Sequence, residues 1–263
     1  GCDYHTSSVS SHVADSDGSS NCAEPALMRE GDFTIGSSAD LAALAPAGNS
    51  CFNITGDLII AETDLISLEL LRNLSSIGGD LRIRFNGALT NLAALNNLAS
   101  IGGDLRIRFN DHLQSLDGLN NLTRLGGHLH ISFNDRLTSL AALTNLSSIE
   151  GDLLVFDCDV LAGLEGLNNL ASIGGFLRIG DNRALTSLGA LSNLARVGGD
   201  LVVSANQALT SLEGLSQVAS IGGDLAIEHN PVLPARLARA LADRLISAGF
   251  TGVVAIAGNQ PEA

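Results

Sequence analysis

The sequence contains no Trp, one Tyr and one Met, and all 14 of its basic residues are Arg, so Lys is missing altogether. With few rings to fill a core and 45% apolar residues, the interior has to be built from uniform layers of Leu, Ile, Val and Ala. No apolar run reaches the roughly 18–20 residues that a membrane-spanning helix needs. Positive charge is scarce: 28 acidic residues against 14 basic ones leave a net charge of −14. Such a surface repels nucleic acid and anionic lipid, so no nucleic-acid partner is expected. Catalytic fingerprints are missing as well. No G-x-S-x-G, H-E-x-x-H, Walker or Rossmann pattern stands in a workable context, and neither catalysis nor a cofactor is expected.

What the sequence has is repetition. "LSSIGGDLRIRFN" at residues 74–86 returns as "LASIGGDLRIRFN" at residues 98–110, 24 positions later. The Gly-Gly step recurs at Gly78-Gly79, Gly102-Gly103, Gly126-Gly127, Gly174-Gly175, Gly198-Gly199 and Gly222-Gly223. Glu150-Gly151 stands at the one irregular place, and Thr55-Gly56 is an earlier copy. One period reads L-x-x-L-x-[AG]-L-x-N-L-x-x-[IVL]-G-G-x-L-x-[IV]-x-x-N, and a fixed period of this kind marks a repeat architecture.

Within the period, "GDLRIRF" alternates as a β-strand does, with Leu81 and Ile83 inward and Asp80, Arg82 and Arg84 outward. "LTNL" and "LASI" are expected to supply two more short extended pieces. Gly-Gly and the small residue at Ala94, Gly118, Ala142, Gly166, Ala190 and Gly214 are expected to turn the corners. A coil this short cannot bury its own leucines, but coils stacked at the strand spacing of about 4.8 Å enclose one core. The expected fold is mainly β: a single-stranded parallel β-solenoid of about eight 24-residue coils. Asn86, Asn110, Asn134, Asn182, Asn206 and Asn230 form one column and are expected to act as a structural ladder, with Cys158 as a small buried substitute. Asn73, Asn97, Asn121, Asn145, Asn169 and Asn193 form a second column.

The ends break the pattern, as repeat ends must. Residues 1–22 read as a polar, flexible tether, and residues 23–56 as an N-terminal cap and first coil with a helix near residues 38–45. Residues 57–230 are the repeats. Residues 231–263 read as a C-terminal cap, with a helix from about residue 234 to 248 and a final strand at 253–257. Leu237, Ala240, Leu241, Leu245 and Ile246 are expected on the inner face of that helix. Cys22 and Cys51 flank the start of the regular region and are expected to be joined by a disulfide worth a few kcal/mol. The cysteine spacings fit no zinc motif, and no metal is expected. "GCDYHTSSVSS" resembles the junction where bacterial lipoproteins are cut and lipidated, which makes Cys2 a lipidation candidate. The alternative is a secreted chain whose Cys2 is free or paired between molecules.

"DFTI", "ADLAAL" and "ITGDLII", followed by repeated "SIGGDL" steps, resemble the receptor L-domain group, relatives of leucine-rich repeats, over about residues 22–260. The resemblance implies a right-handed β-helix at a cell surface, exported and either lipid-anchored or secreted, with a protein or polysaccharide partner. Bacterial relatives commonly carry cysteines around the C-terminal helix, and this chain has none there.

The outward strand positions carry the remaining signal. Arg82, Arg84, Arg106 and Arg108, with His128 and His130 beside them, fall on neighbouring coils and form a candidate patch for an anionic partner. That partner is a wall polysaccharide, an acidic protein face or another copy of the chain. The competing reading is internal compensation by Asp80 and Asp104, through exposed ion pairs worth under about 1 kcal/mol each. Phe85, Phe109 and Phe133 read as a spine along a turn. The functional expectation is a non-catalytic surface protein displaying a rigid binding face. The alternative is a self-assembling subunit of an extracellular fibre or surface layer.

Overall fold

The computed structural model describes residues 26–48 and 50–261. Every strand pairing in it is parallel, and most neighbouring strands lie 24 residues apart in the chain. The largest sheet has ten strands. It starts with Phe33–Ile35, Leu58–Ala61 and Leu81–Arg84, continues through Leu105–Arg108, Leu129–Ser132 and Leu153–Phe156, and closes with Val254–Ala257. The register is kept throughout, so Leu81, Leu105, Leu129, Leu153 and Leu177 stand in line. Shorter strands such as Ser100–Ile101 and Ser172–Ile173 build two further sheets, of five and four strands. This mainly β architecture of repeating strand pairs is consistent with a solenoid-like fold. Between the sheets runs one core of Leu, Ile and Val side chains, most of them sealed from solvent. Among the described residues no helix is long and apolar enough to cross a membrane.

The glycine pattern has a steric cause. A Cβ on Gly102, Gly126 or Gly174 would overlap the carbonyl oxygen of the residue one repeat earlier. Glu150 has that Cβ. Gly126, Gly174 and Gly198 each donate an N–H to the repeat before, to Ile101, Ile149 and Ile173, and Glu150 makes no such bond. The five-stranded sheet therefore ends at Arg124–Leu125, and a separate four-stranded one begins at Ser148–Ile149. The ten-stranded sheet continues past this point without a break.

Two local expectations are corrected. "LTNL" does not form a strand; only single bridges, Ser115 to Ser139 and Ser187 to Ser211, occur there. The corner after it is a 3-10 turn in five repeats, as at Ala93–Leu95 and Glu213–Leu215. The N–H of Leu95 bonds the Leu92 carbonyl three residues back, so the backbone closes into a 3-10 turn there instead of staying extended. Gly118 and Gly166 make the same corner differently, with φ of 110° and 112°.

The N-terminal helix α1 (Ser38–Leu44) is capped by Ser37, whose hydroxyl accepts from the Asp40 N–H. The C-terminal helix α2 (Ala235–Ser247) buries Ala235, Ala238, Leu241, Ala242 and Leu245. Ala240 and Ile246 point away from the core, Ile246 being 52% exposed. The inner face is thus rotated from the one expected. Arg244 fixes that rotation by donating to the Val218 carbonyl at 2.7 Å and the Leu215 carbonyl at 3.0 Å. A strand absent from the sequence expectation, Leu27–Arg29, pairs with Phe52–Ile54. Cys51 is disulfide-bonded. Its expected partner Cys22 lies outside the described residues, as do Cys2 and the tether.

The buried asparagines form the expected ladder. After eight of the ten strands of the large sheet the chain turns through a left-handed non-glycine residue: Glu62, Phe85, Phe109, Phe133, Asp157, Asp181, Ala205 and His229 all have φ between 50° and 58°. Each costs about 1 kcal/mol in a non-glycine residue. The next position is the ladder. Asn110 Oδ1 accepts both the backbone N–H and the Nδ2 of Asn86, while Asn110 Nδ2 donates to the Ile83 and Arg108 carbonyls. The same set recurs at Asn206 and Asn230, and Thr63 and Asn259 extend it at the two ends. Cys158 is fully buried, and burial pushes its thiol up to about 12 despite the N–H groups that Asn134 directs at it. It holds its place without donating to the Ile131 carbonyl as an asparagine would. Replacing Asn110 with Ala should lower the unfolding free energy by about 3 kcal/mol in urea titration, because several buried groups lose partners at once. Cys158→Asn should instead raise it, by about 1 kcal/mol.

Candidate binding face

The outer surface of the ten-stranded sheet holds the six candidate side chains, but it divides them into different roles. Directly before each strand, where the repeat reads Gly-Gly-Asp, runs a second polar ladder. Asp32 Oδ1 accepts the Asp57 N–H, Asp57 accepts from Asp80, Asp80 from Asp104 and Asp104 from His128, each at 2.7–2.8 Å. The series resumes at Asp152, Asp200 and Asp224. This ladder was missed in the sequence, where Asp80 and Asp104 read as ordinary outward charges. The recurrence of Asp at 57, 80, 104, 152, 200 and 224 was its signal.

Arg82 and Arg106 belong to that ladder. Arg82 reaches Asp80 Oδ2 at 2.6 Å and Asp57 Oδ2 at 3.1 Å, and Arg106 bonds Asp104 and reaches Asp80 at 3.5 Å. Burial pushes the Asp80 carboxyl up, but the Asp104 N–H, the Arg82 guanidinium and the Arg106 charge together hold it below the usual carboxylate range. The internal-compensation reading therefore describes these two arginines. His128 is a ladder member too: its Nδ1 accepts the Asp152 N–H at 2.8 Å. Asp152 Oδ2 lies 3.1 Å from the same nitrogen. The N–H bond accounts for both distances, since an Nδ1 that accepts has no proton to offer a carboxylate.

Arg84 and Arg108 stand apart. Among the described residues neither has a carboxylate within ion-pair distance. Each lies instead beside the aromatic residue that follows it, Arg84 at 5.7 Å from the Phe85 ring centre and Arg108 at 5.3 Å from that of Phe109. Arg178, on the strand after Phe156 and in the column of Arg82 and Arg106, lies 5.2 Å from the Phe156 ring centre. The left-handed turn projects the phenylalanines into a pile: Phe85 to Phe109 at 4.7 Å and Phe109 to Phe133 at 4.5 Å, with planes within 6°. Phe156 closes the pile edge-on to Phe133 at 5.6 Å. The expected spine is real, yet it reaches solvent, Phe85 being 45% exposed.

His130 continues the Arg82–Arg106 column onto the next strand, in register with Arg106. Its ring lies 5.1 Å from Phe156, and its Nε2 lies 3.0 Å from the Ser132 hydroxyl. Burial, then the charges of Arg108 and Arg106, push its pKa down to about 4. His128 and His130 thus do not act as a pair. Among the described residues no group of three His, Cys, Asp or Glu side chains is arranged to hold a metal. A cavity of about 290 Å³ lies at the far end instead, between α2 and the Glu213–Leu215 turn, with Leu212, Leu237, Leu241 and Arg244 in its wall. Arg244 is held there by backbone carbonyls.

The His130 environment predicts a pH dependence. With a folded pKa below the unfolded value of about 6.5, the unfolded chain binds the proton more readily. The stability contributed by neutral His130 is complete above about pH 6.5 and is lost as pH falls towards about 4. NMR titration should place the His130 midpoint near 4, and His130→Gln should flatten the stability loss across that window. Compared with protein-family models, with curated proteins and with solved structures, the chain gives no match.

Proposed function

We propose that the chain is a non-catalytic, exported β-solenoid whose ten-stranded face presents a rigid binding surface, in the manner of the receptor L domains it resembles. The coils, about eight of them, would wind as a single right-handed β-helix. The observation that carries the reading is the contrast within one arginine cluster: Arg82 and Arg106 are neutralised by the ladder, while Arg84 and Arg108 are left with aromatic neighbours and no carboxylate. A purely structural cluster has no need of cations without counter-charges on a chain of net charge −14. Regular hydrogen bonding from coil to coil supports rigidity, and such a surface binds without a large ordering penalty. The Cys51 disulfide supports an oxidising compartment, and Cys2 remains the candidate for a lipid anchor. Assembly into a fibre is the weaker reading, because α2 packs across one end of the core.

A simple test uses the full chain and a sulfonated cation-exchange resin at neutral pH and low salt. A protein of net charge −14 should flow through unless a local cationic face holds it. Native protein should be retained, and Arg84→Glu with Arg108→Glu should abolish retention while shifting the melting temperature by less than about 2 °C. Flow-through of the native chain, or retention indifferent to the double change, would overturn the reading.

A further inference from the structure

Across Phe133 the left-handed column changes the sign of its charge. The column runs Glu62, Phe85, Phe109, Phe133, Asp157, Asp181 and Ala205. Before Phe133, Arg84 and Arg108 stand beside the rings without a carboxylate partner. After it, Asp157 and Asp181 are in the converse state: among the described residues neither meets an arginine within ion-pair distance. Arg183 pairs with Asp159 at 3.2 Å instead, and Arg178 lies against the Phe156 ring. Burial, then the charges of Asp181 and Asp159, push the Asp157 carboxyl above the usual carboxylate range, and Arg178 and Arg183 offset this only in part.

Two unpaired cations on one side of Phe133 and two unpaired carboxylates on the other complement the same column read in reverse. Two copies laid face to face, about a two-fold axis along the strand direction at Phe133, keep each column over itself and reverse its order. The strands are in register, so the partners follow by counting repeats. Phe133 meets Phe133, Arg108 comes over Asp157 of the second copy, and Arg84 comes over Asp181. Glu62 falls opposite Ala205 and meets no like charge. Moved by one repeat either way, the axis sets Glu62 on Asp157, or Asp157 on its own copy.

The neighbouring column tolerates this register. His130 meets His130, neutral at ordinary pH with its pKa at about 4. Arg106 falls on Leu154, and Arg82, already held by Asp57 and Asp80, falls opposite Arg178. Asp111, Asp135 and Asp159 come after the buried ladder positions, where the chain has left the sheet. From this pattern we infer that the face docks a second, antiparallel copy of the chain through the phenylalanine pile, with Arg84–Asp181 and Arg108–Asp157 pairs on both sides of it. The inference rests on the binding-face reading above and names its partner. A two-fold contact closes on itself, so assembly stops at two copies. Five strands span only about 19 Å. So small a contact makes a transient dimer, with a dissociation constant on the order of 100 µM.

Sedimentation of the full chain at neutral pH and physiological salt, from well below to well above that concentration, should show reversible monomer–dimer exchange and no larger species. Arg84→Asp and Asp181→Arg should each weaken the dimer about tenfold or more. Combined in one chain, they should restore it to within about threefold of native. Within one copy the two side chains stand four strand separations apart, about 19 Å, so rescue has no intramolecular source. Melting temperatures within about 2 °C of native check that the variants fold. Monomer at every concentration, larger oligomers, single changes without effect, or loss without rescue each overturn the pairing. The resin test, loaded below the dimer concentration, separates this failure from that of the binding face. A monomer still retained through Arg84 and Arg108 has the face but a different, anionic occupant. If retention is lost as well, both readings fall together.

Discussion

When a chain turns sharply at the same place every 24 residues, the amide groups at that turn are shut away from water, and the Asn86-to-Asn230 ladder restores their partners. Each asparagine serves two repeats, accepting from the one before and donating to a carbonyl further back. That sharing fixes the spacing of the repeats and the direction of every strand that follows. It also makes the left-handed turn tolerable at Phe85, Phe109 and Phe133, residues that would not choose it. The aromatic pile is therefore a by-product of the ladder: the turn that the asparagine stabilises is the turn that lifts each ring out of the sheet.

The aspartate ladder solves a related problem on the other side of the strand. Carboxylates crowded along one line would repel one another in an acidic protein, but here one oxygen of each takes a backbone N–H from the next repeat. The second oxygen is free to hold Arg82 or Arg106. Seven of the 28 acidic residues are thus part of the backbone hydrogen-bonding scheme.

Period-2 alternation made the long strands legible in the sequence, because Leu81 and Ile83 can only face inward if Arg82 and Arg84 face out. The asparagine column was legible for a similar reason: an amide recurring at a turn has few other uses. The division of the arginines was not. Arg82 and Arg84 differ by two positions and share a face, and only the side-chain geometry shows that one meets Asp80 and the other Phe85. The 3-10 corners were missed because "AAL" is too short for periodicity to register. The rotation of α2 was missed because Ile246 and Leu245 are equally apolar, and the choice between them is made by Arg244 reaching two carbonyls on the neighbouring repeat.

Glu150 interrupts the hydrogen bonding on one side of the stack while the ten-stranded sheet passes it intact on the other. In mechanical terms the stack is a beam with a gap in the bonding of its short-sheet edge at that level, although the Thr138 N–H on the Gln114 carbonyl and the Asn145 amide on the Asn120 carbonyl still tie the two repeats together. Bending concentrates there, and the seam opens on the side of the short sheets. The ten-stranded side acts as the inextensible flange. Whatever flexing the molecule undergoes, the distance from Arg84 to Arg108 is the dimension least altered by it.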